Sequence, residues 1–177
     1  MHAILRQLVG GDRRSIGNSN AVVCKVLGNP SLFAALFSGM LSDDPVLRMR
    51  AADAVEKVTA QRPEYLQPYK HQLLAQVAGI EQKEVRWHAA QMLPRLELNE
   101  AELAEALHIL FRYLNDRSSI VKTCAMQALA DLAKRTPRLR ASVLVHLREL
   151  TVIGTPAMKA RGWKLIAQMD RDCAASP

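Results

Sequence analysis

Four stretches of the chain align with one another without a gap: residues 45–58 (PVLRMRAADAVEKV), 83–96 (KEVRWHAAQMLPRL), 119–132 (SIVKTCAMQALADL) and 156–169 (PAMKARGWKLIAQM). A basic residue recurs in them at intervals of 36 to 38 positions, at Arg48, Arg86, Lys122 and Lys159. In each stretch the apolar positions fall at i, i+4, i+7, i+8 and i+11, which is one stripe of an α-helix. A helix that recurs at a fixed interval predicts a repeat architecture.

Each repeated helix follows another apolar segment that we predict to be its partner in a helical hairpin. These first helices are expected at Ser31–Leu41, Glu64–Ile80, Glu100–Leu114 and Arg138–Leu150. One hairpin cannot bury its own stripe, so successive hairpins must stack. A small residue stands at the same place in all four second helices, where it lets a neighbouring helix approach closely: Ala51, Ala89, Ala125 and Gly162.

The predicted fold is therefore all-α, with about four hairpins in one domain that spans 1–177. The repeats are placed at 30–62, 63–98, 99–135 and 136–170, after an N-terminal capping helix or half repeat at 1–29 and before a frayed tail at 171–177. In the cap we expect helices at Ala3–Val9 and from Asp12 to Leu27, the second stopped by the Gly-Asn-Pro sequence at 28–30.

Residues that favour helix ends support these boundaries. Capping side chains precede proline at three predicted starts, at Asp44, Thr136 and Thr155. Asn99 with Glu102 has the spacing of a capping box. Ser118 or Ser119 can cap the third repeated helix, and Pro94 should end the second one early.

The chain resembles the HEAT-repeat family of α-solenoids over about residues 30–169. The resemblance rests on the Asp-Pro turn at Asp44, the Leu-Arg pair at Leu47, the Ala-Ala pair at Ala51 and the aliphatic pair at Ala54. It implies a right-handed α-α superhelix with the second helices on the concave side. The use that it implies is as a scaffold that binds an extended partner on that side.

Composition and motifs point away from catalysis and from membranes. No apolar run approaches the roughly 20 residues that span a bilayer, and no leader peptide is recognised at the N-terminus. The cysteines are odd in number and far apart, which favours reduced thiols in a cytoplasm: Cys24, Cys124 and Cys173. Phosphate-loop, zinc-protease and nucleophile-elbow motifs are absent. We therefore expect a non-enzymatic protein with no cofactor and no metal. Three histidines recur at 37 and 38 positions, and solvent-facing side chains explain them better than a shared metal: His71, His108 and His146.

The net charge of +7 is unevenly distributed. Residues 121–177 carry ten basic and four acidic groups. A basic end can attract a polyanion, or it can be the polar cap that a solenoid end requires. Any nucleic-acid binding is expected to be weak, non-specific and steeply dependent on salt.

The helical wheel identifies two sets of candidate residues on the second helices. The basic ladder Arg48, Arg86, Lys122 and Lys159 lies at the flank of the core, where it either ties to acidic groups such as Asp44 and Asp116 or forms a ligand-binding stripe. Trp87 lies nearly opposite the core stripe, so we expect it to be exposed and to act as an interface anchor. The alternative is that it packs beneath a neighbouring loop. Trp163 lies nearer the core and is expected to be buried.

The leading hypothesis is an extended protein or peptide partner on this face. Its predicted contacts are Met49, Trp87, Gln91, Thr123, Gln127 and Lys164. The alternative is nucleic-acid binding, because the chain also resembles HEAT-like glycosylases of alkylated DNA, which use aromatic side chains and a carboxylate in a basic groove. Gln91 stands four residues after Trp87 where that family would need an acid, so the resemblance does not extend to its catalysis.

Overall fold

The computed structural model describes residues 1–12 and 14–174, and within them all regular secondary structure is helical. Ten α-helices follow one another: α1 (Ala3–Arg6), α2 (Ser19–Gly28), α3 (Phe33–Ser38), α4 (Pro45–Gln61), α5 (Lys70–Ala75), α6 (Lys83–Met92), α7 (Glu100–Tyr113), α8 (Ser119–Arg135), α9 (Arg140–Ile153) and α10 (Pro156–Ala174). The all-α prediction is confirmed. None of the helices in the described ranges is long and apolar enough to span a membrane.

The helices form two rows. In the second row α2 packs on α4, α4 on α6, α6 on α8 and α8 on α10, so that the four repeated helices and α2 lie side by side in chain order. The first row holds the partner helices, with α3 against α4, α7 against α8 and α9 against α10. One apolar cluster runs between the rows from Ile4 to Met169.

The first-row helices of the early repeats are shorter than predicted. Tight 3₁₀ turns at Pro30–Leu32 and Gly39–Leu41 flank α3, and others at Pro63–Tyr69 and Val77–Gly79 flank α5. Pro68 explains part of this break, because proline lacks the amide that a continuous helix over 64–80 needs. The later helices α7 and α9 are continuous, and α7 starts and ends within one residue of its prediction.

Several helix ends have the predicted capping contacts. The Asp44 carboxylate accepts from the amides of Val46 and Leu47 at 2.8 and 3.3 Å, and the Asn99–Glu102 capping box is present. Ser118 caps α8, and Thr155 accepts from the amide of Met158 at 3.4 Å. As predicted, α6 ends at Met92, before Pro94. Thr136 makes no capping bond, because the chain turns there into a 3₁₀ segment, Pro137–Leu139.

The predicted helix from Asp12 to Leu27 is wrong in its first half. Helix α2 begins only at Ser19, and Asp12 instead accepts from the amide of Arg14 at 2.9 Å within a loop. Gly10 and Gly17 have positive φ angles of 87° and 52° in this segment. Those backbone conformations are incompatible with a helix and favour glycine.

A buried arginine organises that N-terminal loop. Arg50 of α4 is 5% exposed, and its guanidinium donates to four main-chain carbonyls. Nη1 reaches Leu8 and Gly10 at 2.9 and 2.6 Å, Nε reaches Ser15 at 3.0 Å, and Nη2 reaches Asp12 at 3.2 Å. Five guanidinium donors in a fixed plane make arginine suited to such a multiple contact.

The recurring small residues lie at close helix contacts, as predicted. Ala51, Ala89 and Ala125 are completely buried. A Cβ added to Gly162 would overlap the Thr151 hydroxyl of α9 and lie 3.2 Å from Met126 Cε of α8. Gly162 therefore contacts both rows at once.

Candidate binding surface

The side of the second row that faces away from the first row forms one continuous surface, which we call the second-row face. It is made by the outward sides of α2, α4, α6, α8 and α10. Two grooves lie between neighbouring helices of this side, and a third opens at its end between α8 and α10, where Pro137 and Arg140 of the first row also line it. The α2–α4 groove measures about 410 Å³, the α6–α8 groove about 370 Å³ and the α8–α10 groove about 510 Å³.

The α6–α8 groove contains two of the predicted contact residues. It is lined by Gln91, Pro94, Arg95, Cys124, Gln127, Ala128 and Asp131. Gln127 donates to the Asp131 carboxylate and accepts from Arg161 of α10, both at 2.9 Å. Partial burial raises the pKa of Asp131, although the Gln127 bond acts in the opposite direction. Burial raises the pKa of Cys124 to about 11, so its thiol is protonated at neutral pH.

The α8–α10 groove is the most apolar of the three. Ala130, Ala133, Leu165 and Met169 provide apolar lining, and charged or amide groups surround it: Asp131, Lys134, Arg140, Gln168 and Asp172. Lys134 and Asp172 lie 4.0 Å apart across the groove. Its volume is within the 300–1,000 Å³ range of ordinary ligand sites.

The exposures of the two tryptophans are the reverse of the prediction. Trp87 is half-buried and packs on the core, with the ring of His88 edge-on at 5.7 Å between centroids. Trp163 is 65% exposed, because no described helix packs on that side of α10. The wheel places a side chain relative to the first row only, and it omits neighbours within the second row.

Met49 was the second predicted apolar anchor, and this prediction is wrong. Met49 is 5% exposed and therefore offers almost no surface to a partner. Neighbouring helices lie only about 8–10 Å apart, so long side chains on one helix cover those on the next.

The remaining predicted contact residues differ in exposure and in the hydrogen bonds that they already make. Gln91 is half-buried and donates to the Trp87 carbonyl at 3.1 Å, while Thr123 donates to the Ser119 carbonyl at 2.7 Å. Both bonds lie within the residue's own helix. Lys164 is exposed on α10. The structure thus places Gln91 and Gln127 in one groove, Trp87 one turn before it, and Lys164 on the adjoining helix.

The first half of the basic ladder ties one repeat to the next. Arg86 donates to Asp116 at 2.7 Å, which confirms one of the two predicted acidic partners. Arg48 donates to Gln82 at 2.8 Å rather than to Asp44, because Asp44 caps α4. Lys122 is half-exposed and Lys159 exposed, and neither has an ion pair within the described ranges.

Two polar contacts beside this face were missed from sequence. Arg95 donates to the Glu56 carbonyl at 2.7 Å, to Thr59 Oγ1 at 2.9 Å and to the Glu56 carboxylate, and so ties the end of α6 to α4. The two charges stand 39 positions apart, about one repeat, and that spacing of opposite charges was the available signal. The second is a buried cluster around Asp53.

The Asp53 carboxylate accepts from Ser19 of α2 and, at 2.8 Å, from Lys57. His88 Nε2 lies 3.9 Å from the same carboxylate, and His88 Nδ1 is buried without a partner among the described atoms. Burial is the largest reason that the pKa of His88 is lowered, while Asp53 opposes the shift. Ser19 is completely buried, and its hydroxyl donates to the Asp53 carboxylate, so the cluster ties α2 to α4 within the core.

The three recurring histidines lie in different environments. His71 and His108 are exposed, whereas His146 packs against Phe111 at 4.7 Å between ring centroids. Within 1–12 and 14–174, no cluster of three or more His, Cys, Asp or Glu residues could hold a metal ion.

Comparison with known protein families, characterised proteins and solved structures finds no match to this chain.

Proposed function

We propose that the chain is a HEAT-type right-handed α-solenoid that acts without catalysis, binding an extended protein segment along the second-row face. The observation that carries the proposal is the series of three grooves on one side of the molecule, each between successive second-row helices. Grooves between three of the four pairs of neighbouring second-row helices fit a partner that extends along the row.

The spacing of the grooves sets the length of the partner. Packed helices lie about 10 Å apart, so the first and third grooves are separated by roughly three spacings, or about 30 Å. An extended chain rises about 3.3 Å per residue. A segment of about nine residues would therefore reach from the α2–α4 groove to the α8–α10 groove.

Amide side chains near the middle of the face suit recognition of a peptide backbone. Gln91 bonds only to its own helix, and Gln127 bonds to two surface groups that water can also satisfy. Each can exchange these bonds for bonds to a peptide amide or carbonyl at small net cost. Trp87 contributes an aromatic surface beside them, and Lys164 a charge at the α10 end.

The alternative of nucleic-acid binding has less support. The two arginines of the basic ladder donate within the chain, and a depression of about 1,010 Å³ beside them is lined by acidic as well as basic residues: Glu81, Glu84 and Asp116 with Arg48, Lys83, Arg86 and Arg117. A mixed-charge surface does not concentrate phosphates.

A peptide library tests the proposal directly. Twelve-residue peptides displayed on phage are selected on the folded chain, and the enriched sequences are measured by fluorescence anisotropy. We expect Trp87→Ala and Gln127→Ala each to weaken binding by about tenfold, a typical effect of a central contact. His108→Ala, an exposed change on the first-row helix α7, is the matched control and should leave binding unchanged.

Amide chemical shifts then locate the bound peptide. Shifts confined to α6, α8 and α10 support the second-row face. Selected peptides that perturb α7 and α9 instead, or that bind the two groove variants as tightly as the wild type, would show that the face is not the binding site.

A further inference from the structure

The last second-row helix differs from the others at one equivalent position. Trp163 aligns with Ala52, Ala90 and Met126, which are all 0% exposed, whereas Trp163 is 65% exposed. Met126 Cε lies beside Gly162 of the next helix, α10. Ala52 and Ala90 stand one turn after Arg48 and Arg86, which reach the next repeat, and so lie on the same side of their helices. Trp163 occupies the place where a further helix would pack, and it is the largest side chain in the series.

The basic ladder changes along the row. Arg48 and Arg86 each reach forward to an acceptor in the next repeat, at Gln82 and Asp116. The equivalent residues Lys122 of α8 and Lys159 of α10 have no ion pair in the part of the chain that the structure describes. The open packing position at Trp163 is therefore what distinguishes α10, and the exposed charge of Lys159 lies beside it.

The open side of α10 is a coherent surface, which we call the α10 end face. Five of its exposed residues fall within an arc of about 100° on the helical wheel: Lys159, Ala160, Trp163, Ala167 and Asp170. The small alanines surround the tryptophan, and the two opposite charges lie at either end of the stripe. Val145 and Val152 of α9 are also exposed.

We infer that the α10 end face docks a second copy of this chain, with the two α10 helices antiparallel about a twofold axis. An axis placed midway between Trp163 and Ala167 sets each tryptophan over the partner's Ala167. The same operation brings Lys159 to the same side of the interface as the partner's Asp170, about one residue, or 1.5 Å along the helix axis, from the opposite level. Two identical surfaces are thus complementary in both shape and charge, as a twofold interface requires.

Charge-reversal variants distinguish the antiparallel α10 dimer from non-specific association. The mass of the 177-residue chain is measured by light scattering and sedimentation over a range of concentrations, and we expect a dimer of twice the 19.7 kDa chain. Lys159→Glu and Asp170→Lys should each raise the dissociation constant about tenfold, because either change places like charges opposite each other twice in the dimer. The double variant restores both pairs and should return the constant to near its original value.

Further variants test the apolar contact. Trp163→Glu and Ala167→Glu should each give a monomer with an unchanged circular dichroism spectrum, since both positions are exposed. Lys164→Glu makes the same change of charge outside the α10 end face, on the second-row face. It should leave the dissociation constant of the dimer unchanged. In a Trp87→Phe background the emission of Trp163 should shift to shorter wavelength as the dimer forms.

Three results would overturn the inference. A chain that stays monomeric at all concentrations up to about 100 µM would have a dissociation constant too high for a stable dimer. That result excludes a second copy as the occupant of the α10 end face and leaves the face to a different protein. A dimer that persists in Trp163→Glu uses another surface. Single charge reversals that weaken the dimer without rescue by the double variant rule out the antiparallel pairing.

Discussion

Gly162→Ala isolates the close helix contact that the sequence repeat predicts. A Cβ at this position would overlap the Thr151 hydroxyl and lie 3.0 Å from Thr151 Cβ. To make room, either α10 must shift away from α9 or Thr151 must rotate and lose its bond to the Leu147 carbonyl. Overpacking of this kind costs about 1–3 kcal/mol, and a lost hydrogen bond about 1 kcal/mol. The higher helix propensity of alanine returns about 1 kcal/mol. We expect a net loss of about 1–3 kcal/mol.

A glycine-to-alanine change without a close contact should have the opposite effect on stability. Gly28, also in a helix, has nothing within 4 Å of an added Cβ, so Gly28→Ala should be neutral or stabilise by up to about 1 kcal/mol. Free energies of unfolding come from urea titrations followed at 222 nm. In a Thr151→Ala background the overlap with the hydroxyl is removed, while the contacts with the Cβ of residue 151 and with Met126 Cε stay, so Gly162→Ala should cost clearly less than in the wild-type chain. If Gly162→Ala behaves like Gly28→Ala in the wild-type chain, α9 and α10 are not in close contact at that point.

The remaining predictions concern four features: a small residue of an earlier repeat, the N-terminal loop, the two tryptophans and the buried histidine. Ala125→Leu should cost about 1–3 kcal/mol in the same titration, because its site is fully buried. Arg50→Met should cost about 2–4 kcal/mol, since four charge-assisted bonds are lost, whereas the exposed control Arg62→Met should change stability by less than about 0.5 kcal/mol. Iodide should quench most of the fluorescence in Trp87→Phe, where the exposed Trp163 remains, and equal quenching in Trp163→Phe would contradict the assigned exposures. His88 has a lowered pKa, so the unfolded chain takes up its proton first, near pH 6.5. Stability should therefore fall as the pH drops below that value, and His88→Gln should reduce the loss between pH 7.5 and 5.5.

The amphipathic repeat was sufficient to predict the helices of the second row and the small residue at their contacts. It did not predict side-chain exposure, because a wheel describes one helix while burial depends on all its neighbours. Met49 shows this in the middle of the row and Trp163 at its end. Equivalent residues thus occupy different environments according to which helices lie on either side.

The N-terminal region was harder to predict because no repeat constrains it. Asp12 has the chemistry of a helix cap, but three glycines with positive φ and the carbonyl contacts of Arg50 hold this segment as a loop. Local propensity favoured a helix, and a contact from α4 outweighed it. An arginine at position 50 carries no sequence signal for such a role, since a solvated surface charge is the commoner use of that side chain.

The arginines show why net charge is a poor guide to the partner. Several of them reach across about one repeat length to an acceptor in a neighbouring segment: Arg50 to Gly10, Arg86 to Asp116, Arg95 to Glu56, Arg135 to the Pro94 and Leu96 carbonyls, and Arg161 to Gln127. A planar group with five donors on a long stem can satisfy carbonyls at the ends of neighbouring helices, which a lysine cannot do as well. These cations contribute to the charge of +7 but hold the stack together, so fewer remain for phosphates than the total suggests. The recognition that we propose for the second-row face would then depend on its grooves and amide side chains, and the peptide selection measures this directly.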